Sequence, residues 1–205
     1  MNLFLTKDFS VSMALVDYIP VIMFGIASLI LIQSFTEKMN KAQIAMFSCG
    51  VINVFLAGFL KATYKLLYAA NICDFEALSN MFFPVQSIGF LLAGIVMIWY
   101  VFQNKKMYLL SMPPVFGGTF LFVGFMCGGL LLLDLSLCVI ARRMKKPWLM
   151  VLFILSFVCS LCMGYLSSKD FTEALMNWLA EGINVIGQGA LLAGTIILKK
   201  TKGQH

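Results

Sequence analysis

The feature that most constrains this chain is a succession of apolar stretches, each about twenty residues or longer, with few charges inside them. Crossing roughly 30 Å of hydrocarbon takes about 20 helical residues at 1.5 Å each. Such stretches have to be helices, because a backbone in lipid must satisfy its own hydrogen bonds. Read between charged, proline and glycine breaks, they predict spans near residues 13–35, 42–62, 81–103, 113–141, 147–168 and 173–198. The expected fold is an all-α integral membrane protein of about six transmembrane helices.

Composition agrees. The chain of 205 residues is 61% hydrophobic and 12% charged, with a mean hydropathy of +0.93, whereas soluble domains are roughly 45–50% apolar and 25% charged. No loop is long enough for a separate domain, so the chain reads as one compact membrane domain of two three-helix units, 1–110 and 111–205. The first run, Ala14 to Phe35, is too long for a signal-peptide core and lacks a basic flank immediately before it, so it is kept as a span. The net charge of +6 does not indicate nucleic acid, because the basic residues cluster at helix ends, as in Arg142-Arg143-Met144-Lys145-Lys146 and Lys199-Lys200. There they meet lipid headgroups. The 6 cysteines lie mostly within apolar runs and do not read as a disulfide framework.

Placing both termini in the cytoplasm puts Lys7, Lys61, Lys65, Arg142, Arg143, Lys145, Lys146, Lys199, Lys200 and Lys202 inside, and leaves Lys38, Lys41, Lys105, Lys106 and Lys169 outside. That orientation suits the positive-inside rule. It weakens if Lys61 and Lys65 belong to a longer second helix. Short loops and the absence of glycosylation sequons point to a bacterial cytoplasmic membrane.

Two motifs recur in order. Glu76-Ala77-Leu78-Ser79-Asn80 resembles Glu173-Ala174-Leu175-Met176-Asn177, and Gly89-Phe90-Leu91-Leu92-Ala93-Gly94 resembles Gly189-Ala190-Leu191-Leu192-Ala193-Gly194. Gly58-Phe59-Leu60 is echoed by Gly164-Tyr165-Leu166. Two fused units of three spans each enter the membrane in opposite senses, so the expectation is an inverted 3+3 repeat, the arrangement in which many transporters bind solute between halves. The competing reading is chance similarity between leucine-rich helices.

The most informative pattern is a polar stripe in the last span. Glu173, Asn177, Glu181, Asn184, Gln188 and Thr195 fall three, four or seven residues apart, on one helical face. A charged group near the bilayer centre costs about 2.5–3.5 kcal/mol on insertion scales, so the stripe should turn towards protein or water. It either lines a solute path or glues helices together through buried amides. Possible partners are Asn53 and Lys61 on the second span, and Gln86 near Pro84 on the third. Asp134 in the fourth either reaches headgroups or pairs with a lysine such as Lys61, the pairing being preferred. Pro84 either begins its helix or breaks the ladder of a longer one. Gly124 and Gly128 form a small-xxx-small pair suited to close helix packing.

Much chemistry is missing. The single histidine is His205, so no span supplies a haem ligand, a His-based metal site or a His general base. There is no P-loop and no nucleophile elbow. Cys159 and Cys162 have redox-motif spacing but lie mid-span without a basic neighbour. The 14 methionines are scattered as gap-fillers. No cofactor, metal or enzymatic activity is expected.

The leading expectation is therefore a channel or transporter for a small polar solute or ion, acting alone or as a homo-oligomer in the lipid bilayer. Its path would be lined by Glu181, Asn184, Gln188 and Asn177 with Gln86, Asn53, Asp134 and Lys61. The alternative is a non-transporting receptor or complex subunit that binds a partner or small ligand through the same face. A weaker third is an intramembrane enzyme using Asp134 and Glu181 as a carboxylate pair.

Overall fold

A computed structural model describes residues 10–102, 118–166 and 174–202. These form helices α1 (Val11–Val16), α2 (Tyr18–Phe35), α3 (Lys41–Ala69), α4 (Ala77–Asn80), α5 (Phe82–Val101), α6 (Gly118–Arg143), α7 (Leu149–Leu166) and α8 (Ala174–Lys202), with no strand among the described residues. Local chemistry sets the boundaries. Asn40 and Gln43 form a reciprocal capping box that starts α3. Asn71 and Lys145 take left-handed backbone conformations just past α3 and α6, and the next amide returns to Leu67 and Ala141 respectively, which closes both helices.

Five helical stretches are long and apolar enough to cross a membrane: Val11–Phe35, Lys41–Ala69, Ala77–Val101, Leu121–Arg143 and Met176–Thr201. The expected fifth span is α7, whose apolar part, Leu149–Met163, is shorter than these. The expected second span stopped at residue 62, but α3 runs seven residues further, to Ala69.

The main helices form a ring in which each packs on the next: α2 on α3, α3 on α5, α5 on α6, α6 on α7, α7 on α8, and α8 back on α2. Specific contacts fix the directions. Tyr18 meets Thr63 and Gly25 meets Phe55, so α2 and α3 are antiparallel. Lys61 meets Phe82 and Gly50 meets Gly89, so α3 and α5 are antiparallel. Lys65, which also pairs with Asp17, meets Glu181 near the start of α8, and Gln33 meets Lys199 near its end, so α2 and α8 are parallel. Gly187 meets Cys159 and Gly194 meets Phe153, so α7 opposes α8. The ring thus has an Asp17 end and a Lys199 end.

These directions do not support two expectations. An inverted repeat requires the third and sixth spans to run oppositely, yet α5 and α8 both run from the Asp17 end to the Lys199 end. In each half the three helices run in the same order and sense, α2, α3, α5 and then α6, α7, α8. Secondly, both chain ends were expected on one side, but α1 starts at the Asp17 end and α8 finishes at the Lys199 end. Among the described residues α5 and α6 follow one another and run parallel, since Gly129 meets Phe90 while Gly94 reaches Leu132. Six strictly alternating spans would return the chain to its starting side; two consecutive helices of the same sense do not. Residues 103–117, where the predicted third span ends and the fourth begins, lie outside the described residues, as does Glu173.

Close helix approaches occur at glycine. A Cβ on Gly50 would lie 2.8 Å from the Gly89 carbonyl oxygen, so α3 and α5 touch backbone to backbone. Gly94 and Gly129 do the same between α5 and α6. The expected packing pair Gly124 and Gly128 has nothing within 4 Å of an added Cβ; the glycine that α6 uses is the neighbouring Gly129.

The Lys199 half of the ring is filled by Leu31, Phe35, Val96, Met97, Leu133, Leu137, Phe153 and Leu198. The rim at that end carries exposed Lys38, Lys41, Arg142, Arg143, Lys145, Lys146, Lys199 and Lys200. The outer surface is apolar, with Leu29, Val151, Ile154 and Ile186 each more than half exposed.

Candidate functional site

The Asp17 half holds a cavity of about 140 Å³ lined by side chains from α2, α3, α5, α6, α7 and α8. Three local irregularities equip it. Pro20, third residue of α2, has no amide hydrogen to donate to the carbonyl of Val16, and the helix breaks there. Asp17 occupies that break and is buried. The extra length of α3 carries Lys65 inward, one turn beyond Lys61. Pro84, third residue of α5, follows an interruption at Met81 between α4 and α5, and Gln86 lies just beyond it. The longer helix that was one of the two readings of Pro84 is therefore present as two pieces, Ala77–Asn80 and Phe82–Val101.

Lys65 bridges two carboxylates. It is paired with Asp17 and lies 3.3 Å from Glu181 Oε1, with all three side chains almost fully buried. Opposite charges in a low-dielectric site attract strongly, but each has lost its hydration, so removal of one partner is costly. Lys61 sits 4.0 Å from the Phe82 ring centroid and 5.9 Å from that of Phe83, a cation–π arrangement. On α8, Glu181, Asn184 and Gln188 project into the cavity at successive turns. Phe24, Phe90, Met126 and Leu130 form the apolar lining towards the centre of the ring, with Phe24 and Phe90 edge to face at 5.7 Å.

Several acceptors here are unspent. Asp17 Oδ1, Glu181 Oε2, Gln86 Oε1 and Gln188 Oε1 are buried and have no hydrogen-bond partner among the described residues. Such groups normally find a partner, and leaving one unmet costs about 1–3 kcal/mol.

Of the residues singled out from sequence, Glu181, Asn184, Gln188, Gln86 and Lys61 line this cavity together. Asn177 is buried one turn before Glu181 and Asn53 is half-buried beside Val54; neither is a lining residue. Thr195 donates to the Leu192 carbonyl within its own helix. Asp134 belongs elsewhere. It is 3% exposed in the packed half, beside Leu133, with neither carboxylate oxygen partnered among the described residues. The expected pairing of Asp134 with Lys61 is not formed, because Lys61 lies at the Asp17 end against Phe82, and the structure likewise does not join Asp134 to Glu181. Among the described residues no group of three or more His, Cys, Asp or Glu side chains is placed to hold a metal ion.

Sequence reasoning passed over Asp17, Lys65 and the Phe82–Phe83 pair. Asp17 stands at the margin of the first apolar run and resembles a boundary charge, and Lys65 resembles a headgroup lysine. The available signal was Pro20, three residues after Asp17, together with the four-residue spacing of Lys61 and Lys65.

No protein-family model matches the chain, and no curated protein or solved structure matches it.

Proposed function

We propose that this protein is a carrier for a small polar solute, with the cavity at the Asp17 end as its binding site and no covalent chemistry of its own. One observation carries the reading: a pocket to which all six main helices contribute holds buried acceptors with unused hydrogen-bonding capacity. Interhelical glue would consume those acceptors. A solute with N–H or O–H donors would satisfy them.

The packed Lys199 half favours a carrier over a permanently open pore. A pore needs a wettable lining from end to end, whereas here the polar lining gives way to Phe24, Phe90, Met126 and Leu130 and then to solid apolar packing. That is the form expected of one state of an alternating-access cycle. On this reading α7 also crosses the bilayer, making six crossing helices in two same-sense units, an arrangement related by an axis along the membrane normal. One feature supports the relation. Exchanging α2, α3 and α5 for α6, α7 and α8 leaves the ring's neighbour relations unchanged.

The basic rim supports a reading in which the Lys199 end faces the cytoplasm of a cell membrane. The start of α1 and the cavity then face outward. On this reading α1 starts outside and α8 finishes inside, in place of two cytoplasmic termini.

Counterflow in proteoliposomes tests the carrier. Vesicles preloaded with amino acids, polyols or urea should accumulate the matching labelled solute for at least one class. Absence of exchange for every class, with the protein correctly inserted, contradicts transport, and stoichiometric solute binding without exchange would favour a receptor.

A further inference from the structure

We infer that the solute is a small zwitterion, with its carboxylate on Lys61 and its ammonium on the free oxygens of Asp17 and Glu181. This rests on reading the cavity as a solute-binding site, and adds the substrate class.

Formal charge is the first argument. The cavity contains two lysines and two carboxylates, which cancel, but they are not paired off. Lys65 serves both Asp17 and Glu181. Lys61 forms no ion pair among the described residues and lies over the Phe82 and Phe83 rings. One cation therefore lacks an anion, while each carboxylate retains an unsatisfied buried oxygen. The site is neutral in sum and separated in sign.

That pattern discriminates among ligand classes. A simple anion would answer Lys61 but leave both free carboxylate oxygens unmet and approach them against repulsion. A simple cation would answer those oxygens but leave Lys61 without a counterion, and would place a net charge where desolvation is costly. A neutral polyol or urea would supply donors to the acceptors and a neutral acceptor to Lys61, but no counterion. A zwitterion meets both signs and keeps the sum at zero.

The remaining walls are consistent. Gln86 Oε1 or Gln188 Oε1 can take the third N–H donor of the ammonium. Phe24, Phe90 and Met126 give a short hydrocarbon portion an apolar neighbour. A cavity of about 140 Å³ suits a small ligand.

The test is equilibrium binding to the full-length protein in lipid nanodiscs at physiological salt. Glycine, β-alanine and 4-aminobutanoate are each compared with their methyl ester, which lacks the carboxylate charge, and their N-acetyl derivative, which lacks the ammonium. At least one zwitterion should bind at least about tenfold more tightly than both of its capped forms. Lys61→Gln should weaken that zwitterion by at least about tenfold while leaving its methyl ester within about twofold, and Lys61→Arg should retain binding. The unchanged ester affinity distinguishes loss of a contact from loss of the fold. A capped form that binds as tightly, failure of every zwitterion to bind, or indifference to Lys61→Gln overturns the assignment. Exchange of urea or a polyol without zwitterion binding overturns it and leaves the carrier standing. Zwitterion binding without exchange keeps it and removes the carrier.

Discussion

The two halves of this ring are built by the same six helices, yet one is solid and the other hollow. Towards the Lys199 end, Met97, Leu137, Phe153 and Leu198 are at most 0% exposed and interlock. Towards the Asp17 end the same helices present Lys61, Lys65, Glu181, Asn184 and Gln86 around open space. The difference lies in local features of a few helices. It comes from two prolines that interrupt α2 and α5 near the Asp17 end, from the overlong α3, and from charges that hold α8 against α2 and α3. Dispersion and close packing organise one half, and ion pairing organises the other.

The largest predicted effect attacks the ion pairing. Lys65→Met leaves Asp17 and Glu181 buried together without their shared cation, and should destabilise the protein by about 3–5 kcal/mol. Replacing both carboxylates as well, in Asp17→Asn with Glu181→Gln, should recover most of that loss. Reversible unfolding in mixed micelles would measure both.

Next comes a large-to-small comparison between halves. Leu137→Ala in the packed half should cost about 2–5 kcal/mol by opening a cavity. Leu130→Ala, which enlarges an existing space, should cost distinctly less. Equal losses would erase the proposed contrast. Between the halves, Gly89→Ala would place a Cβ 2.7 Å from the Gly50 carbonyl oxygen, and the forced shift should cost about 1–3 kcal/mol. Smallest is Lys199→Gln. Its 2.8 Å contact with Gln33 is exposed, so the expected loss in the same assay is at most about 1 kcal/mol.

Much of this was legible in the chain. Long apolar runs announced the membrane helices, and the stripe Glu181, Asn184, Gln188 picked out the face of α8 that lines the cavity, since a three-to-four spacing leaves few other arrangements. Lys61 and Gln86 were also within reach. Helix direction was not. Apolar length says that a segment can cross and nothing about its sense, and parity failed where α5 and α6 run together. Asp134 shows a second limit: from sequence, an acid inside a span invites a partner, but which neighbour faces it depends on helix rotation. Gly124, Gly128 and Gly129 show a third, because a close approach is chosen by the partner surface, here Phe90, and not by the glycine pattern alone.

The most direct test of a hollow half above a solid one is thiol labelling with a membrane-impermeant reagent, applied to each face of oriented vesicles and read by peptide mass spectrometry. Asn184→Cys should be modified from the face opposite to the one that modifies Lys200→Cys, and Met97→Cys should be modified from neither. Modification of Met97→Cys to the same extent as Asn184→Cys, or of Asn184→Cys from neither face or from the Lys200 face, would contradict the account.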